Sequence, residues 1–262
     1  MTAPASEGVV RWSKDGAVAR VVFERPQAHN AMTWSMYEQL EAACAEIAAD
    51  PSVRAVSFRG AGGTAFVAGT DIAQFTSFTG EQDGVDYERR VERVISCVDT
   101  LPVPTLAVVD GWCVGGGLTI ATACDLRIAV PSARFGIPIA RTLGNCLTTA
   151  VYARLMAEFG VGRVKRMLLL AEMLDAEEAR QAGFLSAVVA PEALEAEAEA
   201  LLGRLAGHAP MTMRTGREAI RRVLAASPVE GEDLVRASYG SDDFRIGVEA
   251  FVAKRKPQWT GR

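Results

Sequence analysis

The spacing of apolar residues changes period along the chain, and each change marks an element. Val9-Val-Arg-Trp12 and Ala17-Val-Ala-Arg-Val-Val-Phe23 flank Lys14-Asp15-Gly16, a pattern that predicts a β-hairpin. After Thr33 the period lengthens. Met36, Leu40, Ala43, Cys44 and Ile47 share one helical face, Thr33 can cap it, and Asp50-Pro51 stops it. Val53-Arg-Ala-Val-Ser-Phe58 reads as a strand with a turn at Gly60-Ala-Gly-Gly63. Tyr87, Val91, Val94, Ile95 and Val98 mark a second helix, and Thr105–Val109 and Leu126–Val130 read as buried strands. This alternation predicts an α/β fold.

From about Ala150 the pattern turns helical. Asp175-Ala-Glu-Glu178 resembles a capping box, Ala182-Gly183 a stop, and Leu185–Val189 a short strand. Pro191 opens an Ala/Glu/Leu-rich helix, with two or three more helices to follow. Gly207-His208-Ala209-Pro210 is the best linker candidate. It suggests a core over residues 1–205 and a helical region over 206–262.

The densest chemical signal is Gly115-Gly116-Gly117. It follows the apolar run Thr105–Val114 and leads into Leu118-Thr-Ile-Ala-Thr-Ala-Cys-Asp125. A strand, a tight turn and a helix start are compressed there. Glycines admit close backbone approach, and the first helical turn presents free N–H groups and the positive end of the helix dipole. Such a site suits a developing oxyanion. Tight strand–helix packing without a ligand accounts equally well for the glycines alone.

Four segments in register extend the reading. Trp112–Asp125 and Thr64-Ala-Phe-Val-Ala-Gly-Thr-Asp-Ile72 resemble the two oxyanion-hole segments of the crotonase (enoyl-CoA hydratase/isomerase) superfamily. Phe23–Met32 and Asp243–Pro257 resemble its beginning and end. The resemblance implies a spiral of β-β-α turns with a C-terminal helical region that covers the site or a neighbour's. It implies an acyl-CoA thioester as partner and a homotrimer or homohexamer as assembly. It also implies that the N–H groups of Ala68 and Gly116 hold the thioester oxygen. Ala68, Gly69, Thr70 and Asp71 would run beside adenine and pantetheine, Ala28 and Ala31 beside adenine, and Lys254 near a phosphate. No separate cofactor is implied, because coenzyme A is part of the substrate.

The chain departs from the family at its acids. The family's hydratases carry one glutamate three residues after the middle glycine, where this chain has Thr119. The second directly follows the proline of Phe135-Gly136-Ile137-Pro138, where this chain has Ile139, or Ala140 if one residue is inserted. A threonine hydroxyl cannot replace a carboxylate near neutral pH. Arg141 could hold a carboxylate or carbonyl of the acyl group, or could be solvated. Asn145 could orient water or serve a turn. Cys146 is expected as packing, Asp71 and Asp125 as braces, and His29 as a surface or ligand-side residue.

Composition narrows the alternatives. The 262 residues are 49% hydrophobic and 23% charged, with a net charge of −4, so no nucleic-acid partner is expected. No apolar stretch suits a membrane span, and the first residues do not read as a signal peptide. Cys44, Cys97, Cys113, Cys124 and Cys146 lack CxxC spacing, as in a reduced cytoplasmic protein. Two histidines give poor support to a metal centre or a Ser/His/Asp triad. Gly60–Ala65 matches a dinucleotide fingerprint but leads into Phe66-Val-Ala-Gly69, which is not a helix start. The expected function is enolate chemistry of the enoyl-CoA hydratase/isomerase type. Decarboxylation, thioester hydrolysis and a non-catalytic CoA-ester-binding subunit are the alternatives.

Overall fold

The computed structural model describes residues 7–225 and 231–260. β1 (Val9–Asp15) and β2 (Val18–Glu24) form the antiparallel hairpin, with Gly16 at φ 57° in its turn. In α1 (Trp34–Ala49) Thr33 acts as the cap, its Oγ1 accepting the Met36 N–H at 3.2 Å.

Beyond α1 the chain repeats strand, strand, helix. The first repeat is β3 (Ala55–Gly60), β4 (Ala65–Ala68) and α2 (Glu81–Asp99). The second is β5 (Thr105–Val109), β6 (Trp112–Val114) and α3 (Gly116–Ala123). The third is β7 (Leu126–Ala129), β8 (Arg134–Gly136), the single turn α4 (Ile139–Thr142) and α5 (Thr149–Leu169), which is interrupted at Gly160. β9 (Leu174–Asp175), α6 (Ala176–Gln181) and β10 (Ala187–Val188) follow, then α7 (Leu194–Gly207), α8 (Pro210–Ala225), α9 (Glu232–Tyr239) and α10 (Asp242–Val252).

The first strand of each repeat enters a six-stranded sheet, β1-β2-β3-β5-β7-β10. The second enters a four-stranded sheet, β4-β6-β8-β9. All pairings are parallel except β1 with β2 and β8 with β9. Thr105–Val114, one apolar run in the sequence, is therefore two strands in two sheets. The change of sheet occupies only Asp110-Gly111. Gly111 has φ 86°, and a Cβ there would strike the Thr64 carbonyl, which accepts the Trp112 N–H at 3.1 Å. Because only two residues separate the strands, apolar continuity conceals the break. Gly60–Ala65 runs from strand through turn to strand, without the helix a dinucleotide fingerprint opens.

Phe23, Phe58, Phe66, Leu106, Leu118 and Phe135 are buried in the main core. Each large apolar side chain withdrawn from water contributes about 1.5–3 kcal/mol. A second cluster joins Phe75, Val85, Leu143, Val235, Tyr239, Phe244 and Val248. It seats α9 on α2, and α10 on the turn Ile72–Ser77, so both helices cover their own chain's α2 region. Among the described residues no helix is long and apolar enough to cross a membrane.

Asp125 braces the frame from the end of α3. One carboxylate oxygen accepts the Thr105 N–H (2.7 Å) and hydroxyl (2.9 Å), and the other accepts Arg217 Nε of α8 at 2.6 Å. Asp125→Ala leaves all three donors short of a partner. It should lower stability by about 2–4 kcal/mol, read from the urea midpoint. An unchanged midpoint would show that the brace carries no load.

Candidate active site

The glycine run joins β6 to α3. Gly115, at φ 54° and ψ −123°, turns the chain and donates its N–H to the Gly136 carbonyl at 3.0 Å. A Cβ on Gly117 would strike the Val67 carbonyl. A Cβ on Gly116 would lie 2.8 Å from Tyr37 Oη and 3.5 Å from Thr70 Oγ1. The N-terminus of α3 is thus pressed onto the segment after β4, a separation that a side chain on Gly117 would prevent. The Gly116 N–H, first in its helix, has no intrahelical acceptor. It has no other acceptor among the described residues.

The facing segment is held by the loop before α1. Met32 N–H donates to the Gly69 carbonyl, and Asp71 N–H to the Met32 carbonyl, each at 2.8 Å. This parallel bridge uses the groups on either side of Thr70 and turns Thr70's own N–H away from Met32, where no described residue accepts it. Arg25, only 4% exposed, pairs with Asp71 at 2.8 Å and ties the Ala28–Ala31 loop to the same segment. Asp71 is a brace, as expected.

One expectation is corrected here. The Ala68 N–H is not free, because it donates to the His29 carbonyl at 3.0 Å. The N–H on this segment that no described residue accepts is that of Thr70, two residues on. The sequence cannot reveal this, since it depends on which edge of a strand the neighbouring loop occupies.

Three hydroxyls line this junction. Thr70 Oγ1 lies 2.7 Å from Tyr37 Oη and 2.8 Å from Tyr87 Oη. Burial, aided by the charge of Glu88, pushes Tyr37 up to about 12, and burial likewise pushes Tyr87 well above the usual phenol value. Beyond Tyr87 lies a carboxyl that pattern reading passed over. Glu88 is 4% exposed, accepts the Tyr239 hydroxyl at 2.6 Å and also accepts the Thr148 backbone N–H. Asn145 Nδ2 donates to Tyr239 Oη at 3.0 Å. Asn145 is thus held in a side-chain network, while its buried Oδ1 has no partner among the described residues. Burial pushes Glu88 from 4.5 up to about 8, and nearby Glu92 adds to the rise. A signal did exist, because Glu88 shares the apolar stripe of Val91, Ile95 and Val98. An acid there is either misplaced or functional.

The other expected residues fall variously. Thr119 is buried and returns its hydroxyl to the Gly115 carbonyl at 3.1 Å, and Ile139 is buried beside Pro138. Arg141 is exposed and makes no ion pair among the described residues, in keeping with the solvated alternative. Cys146 Sγ lies 3.5 Å from the Leu234 carbonyl, and burial pushes its thiol up to about 11, away from nucleophilic use. His29 and Lys254 are exposed. All five cysteines are free, and no cluster among the described residues could hold a metal.

A spiral of paired strands, with a helix N-terminus pressed on the neighbouring strand's edge, defines a class of acyl-CoA-binding folds. The description enoyl-CoA hydratase/isomerase matches residues 13–262, so the chain belongs to that family, within the crotonase superfamily. It is 32% identical to the short-chain-enoyl-CoA hydratase of Clostridium acetobutylicum, over 93% of this chain and 94% of that one. An enoyl-CoA hydratase/carnitine racemase from Magnetospirillum magneticum superposes with TM-score 0.79 at 32% identity, covering 97% and 96% of the two chains. A methylmalonyl-CoA decarboxylase in complex with 2-nitronate-propionyl-CoA superposes with TM-score 0.89 at 25% identity, covering 97% and 99%.

The raised Glu88 value has a thermodynamic consequence. The folded chain keeps this proton at pH values where the unfolded chain has released it. Stability from this group is therefore full below about pH 4.5 and is lost progressively up to about pH 8. Between pH 5 and pH 8 the wild type should lose a few kcal/mol relative to Glu88→Gln, measured by urea unfolding of both proteins. Parallel pH profiles would show that Glu88 is ionised in the folded state like an exposed acid.

Proposed function

We propose that this protein is an acyl-CoA enzyme that stabilises a thioester enolate between the N–H groups of Thr70 and Gly116. The observation that carries the reading is that neither the Thr70 nor the Gly116 N–H has an acceptor among the described residues, while a Cβ on Gly116 would lie 3.5 Å from Thr70 Oγ1. Enolisation puts the developing charge on one oxygen, and two fixed donors meet it without reorganisation. The pantetheine and adenine would run along Ala68–Asp71, with Ala28 and Ala31 alongside. Lys254, exposed and without an ion pair among the described residues, would serve a phosphate. Coenzyme A enters as part of the substrate, no separate cofactor is assigned, and the assembly is a homotrimer or homohexamer.

Within this chemistry, ordinary hydration is disfavoured. It needs both activation of water and protonation of carbon, and Thr119 and Ile139 supply neither. Decarboxylation of a carboxylated acyl-CoA is the second reading. There the C–C bonding pair flows into the thioester, CO₂ departs, and one acid returns a proton to carbon. The close superposition with methylmalonyl-CoA decarboxylase (TM-score 0.89, against 0.79 for the hydratase/racemase) supports it.

Gly116→Val projects a branched side chain into the thioester position and should abolish acyl-CoA binding, measured by calorimetry on a protein with a preserved melting transition. Undiminished affinity would remove the site. Crotonyl-CoA hydration by the wild type should be slow, lacking a factor of roughly 10²–10⁴ for each missing acid–base role. A kcat/KM near 10⁶ M⁻¹s⁻¹ or above would show that a full hydratase pair exists elsewhere.

A further inference from the structure

The vacancies at Thr119 and Ile139 leave an enolate without a proton partner. Glu88 is a carboxyl within electrostatic reach of the same junction, on a different element. Its charge acts on Tyr37, the hydroxyl that lies against Gly116. It is the immediate neighbour of Tyr87, whose hydroxyl bonds Thr70. Its carboxyl is met by the Thr148 N–H and by Tyr239, which Asn145 in turn holds. Asn145 and Thr148 both belong to the segment that follows the vacated position at Ile139 and Ala140. The carboxyl therefore lies between α2 and that segment. We propose that Glu88, positioned by Tyr239 of α9, exchanges a proton with the acyl carbon beside the thioester, in place of the glutamates absent at Thr119 and Ile139. This rests on the enolate reading above.

The step balances within the residues present. The C–H bond beside the thioester breaks, and its electron pair becomes the enolate double bond. The carbonyl oxygen takes the charge between Thr70 and Gly116, and the proton forms an O–H bond on Glu88. In the reverse direction protonated Glu88 quenches an enolate formed by any route, including loss of CO₂.

Glu88 also has a way to recover its proton. It lines a cavity of about 110 Å³ together with Val85, Thr148, Thr149 and Val235, large enough for a few waters. Arg89 and Glu232, which pair with each other, line the same cavity.

The cluster contains one group that titrates near neutrality. Glu92 faces Glu88 from its own helix and is paired with Arg154 of α5 at 2.9 Å. Tyr37, Tyr87, Tyr239, Tyr152 and Cys146 all release their protons well above the range of Glu88, because each is buried. Arg89 is held by Glu232. A pH midpoint near 8 therefore reports Glu88.

The test follows deuterium incorporation beside the carbonyl of butyryl-CoA in deuterated buffer, by mass spectrometry, with butyryl-CoA affinity measured in parallel. Wild-type exchange should rise about tenfold per pH unit and level off above about pH 8, where the carboxylate predominates. Glu88→Gln should lower exchange by about 100-fold or more, with butyryl-CoA affinity unchanged. Tyr239→Phe removes a donor to the carboxylate. It should move the midpoint upward, which a merely structural tyrosine would not do.

Three outcomes overturn the assignment: exchange in Glu88→Gln as fast as in wild type, binding by the wild type with no exchange at any pH, or loss of exchange in Glu88→Gln only through loss of binding. Failure of the wild type to bind butyryl-CoA defeats the enolate reading itself, and the assignment with it. Gly116→Val, which loses binding and exchange together, separates the two failures.

Discussion

The approach of α3's N-terminus to the segment Val67–Thr70 is the constraint on which the site depends. It exists because Gly117 has no side chain to strike the Val67 carbonyl and Gly116 none to displace the Tyr37 hydroxyl. The approach alone would only pack a helix against a strand. The bridge from Met32 makes it chemical, because it occupies the Gly69 carbonyl and the Asp71 N–H and leaves Thr70's N–H unspent. The buried pair Arg25–Asp71 in turn fixes the loop that carries Met32. Two strands, a loop and a helix end thus leave the Thr70 and Gly116 N–H groups without an acceptor among the described residues.

How far the fold was legible depended on the kind of signal each element leaves. The hairpin at Lys14-Asp15-Gly16, the Thr33 cap and the Asp175 cap leave local signatures and were found where the residues predict them. The smaller sheet left none. β4, β6 and β8 are three or four residues each, too short for alternation to register. In the site, Gly116 was legible because close approach demands glycine. That the Ala68 N–H is taken by the His29 carbonyl was not legible, because backbone exposure is a property of strand pairing and side-chain identity carries no trace of it. For Arg141 the sequence left contact with the acyl group and solvation both open, and the side chain is exposed. Its position after Pro138 is a short helical turn with the guanidinium in solvent, which spacing alone cannot resolve.

Glu88 shows the opposite failure, a visible signal read as packing. The stripe Tyr87, Val91, Val94, Ile95, Val98 made a helix evident, and one acid among them did not disturb that conclusion. Burial of a carboxyl without a cation to pair it is expensive. The cost is met by holding the proton and by the hydroxyl of Tyr239. That balance rules out a surface role and leaves a group whose charge state is decided by its surroundings.

The C-terminal helices follow from the same economy. Tyr239 ends α9, and its ring packs within 4.7 Å of Phe244 at the start of α10 and 6.1 Å of Tyr87. The apolar cluster that seats α9 on α2 is therefore the same structure that brings a hydroxyl onto Glu88. The environment of the buried Glu88 is thus completed by the C-terminal helices, and packing there and proton affinity at Glu88 become one property. Loosening α9 would readmit water and lower the proton affinity of Glu88 toward that of an ordinary acid.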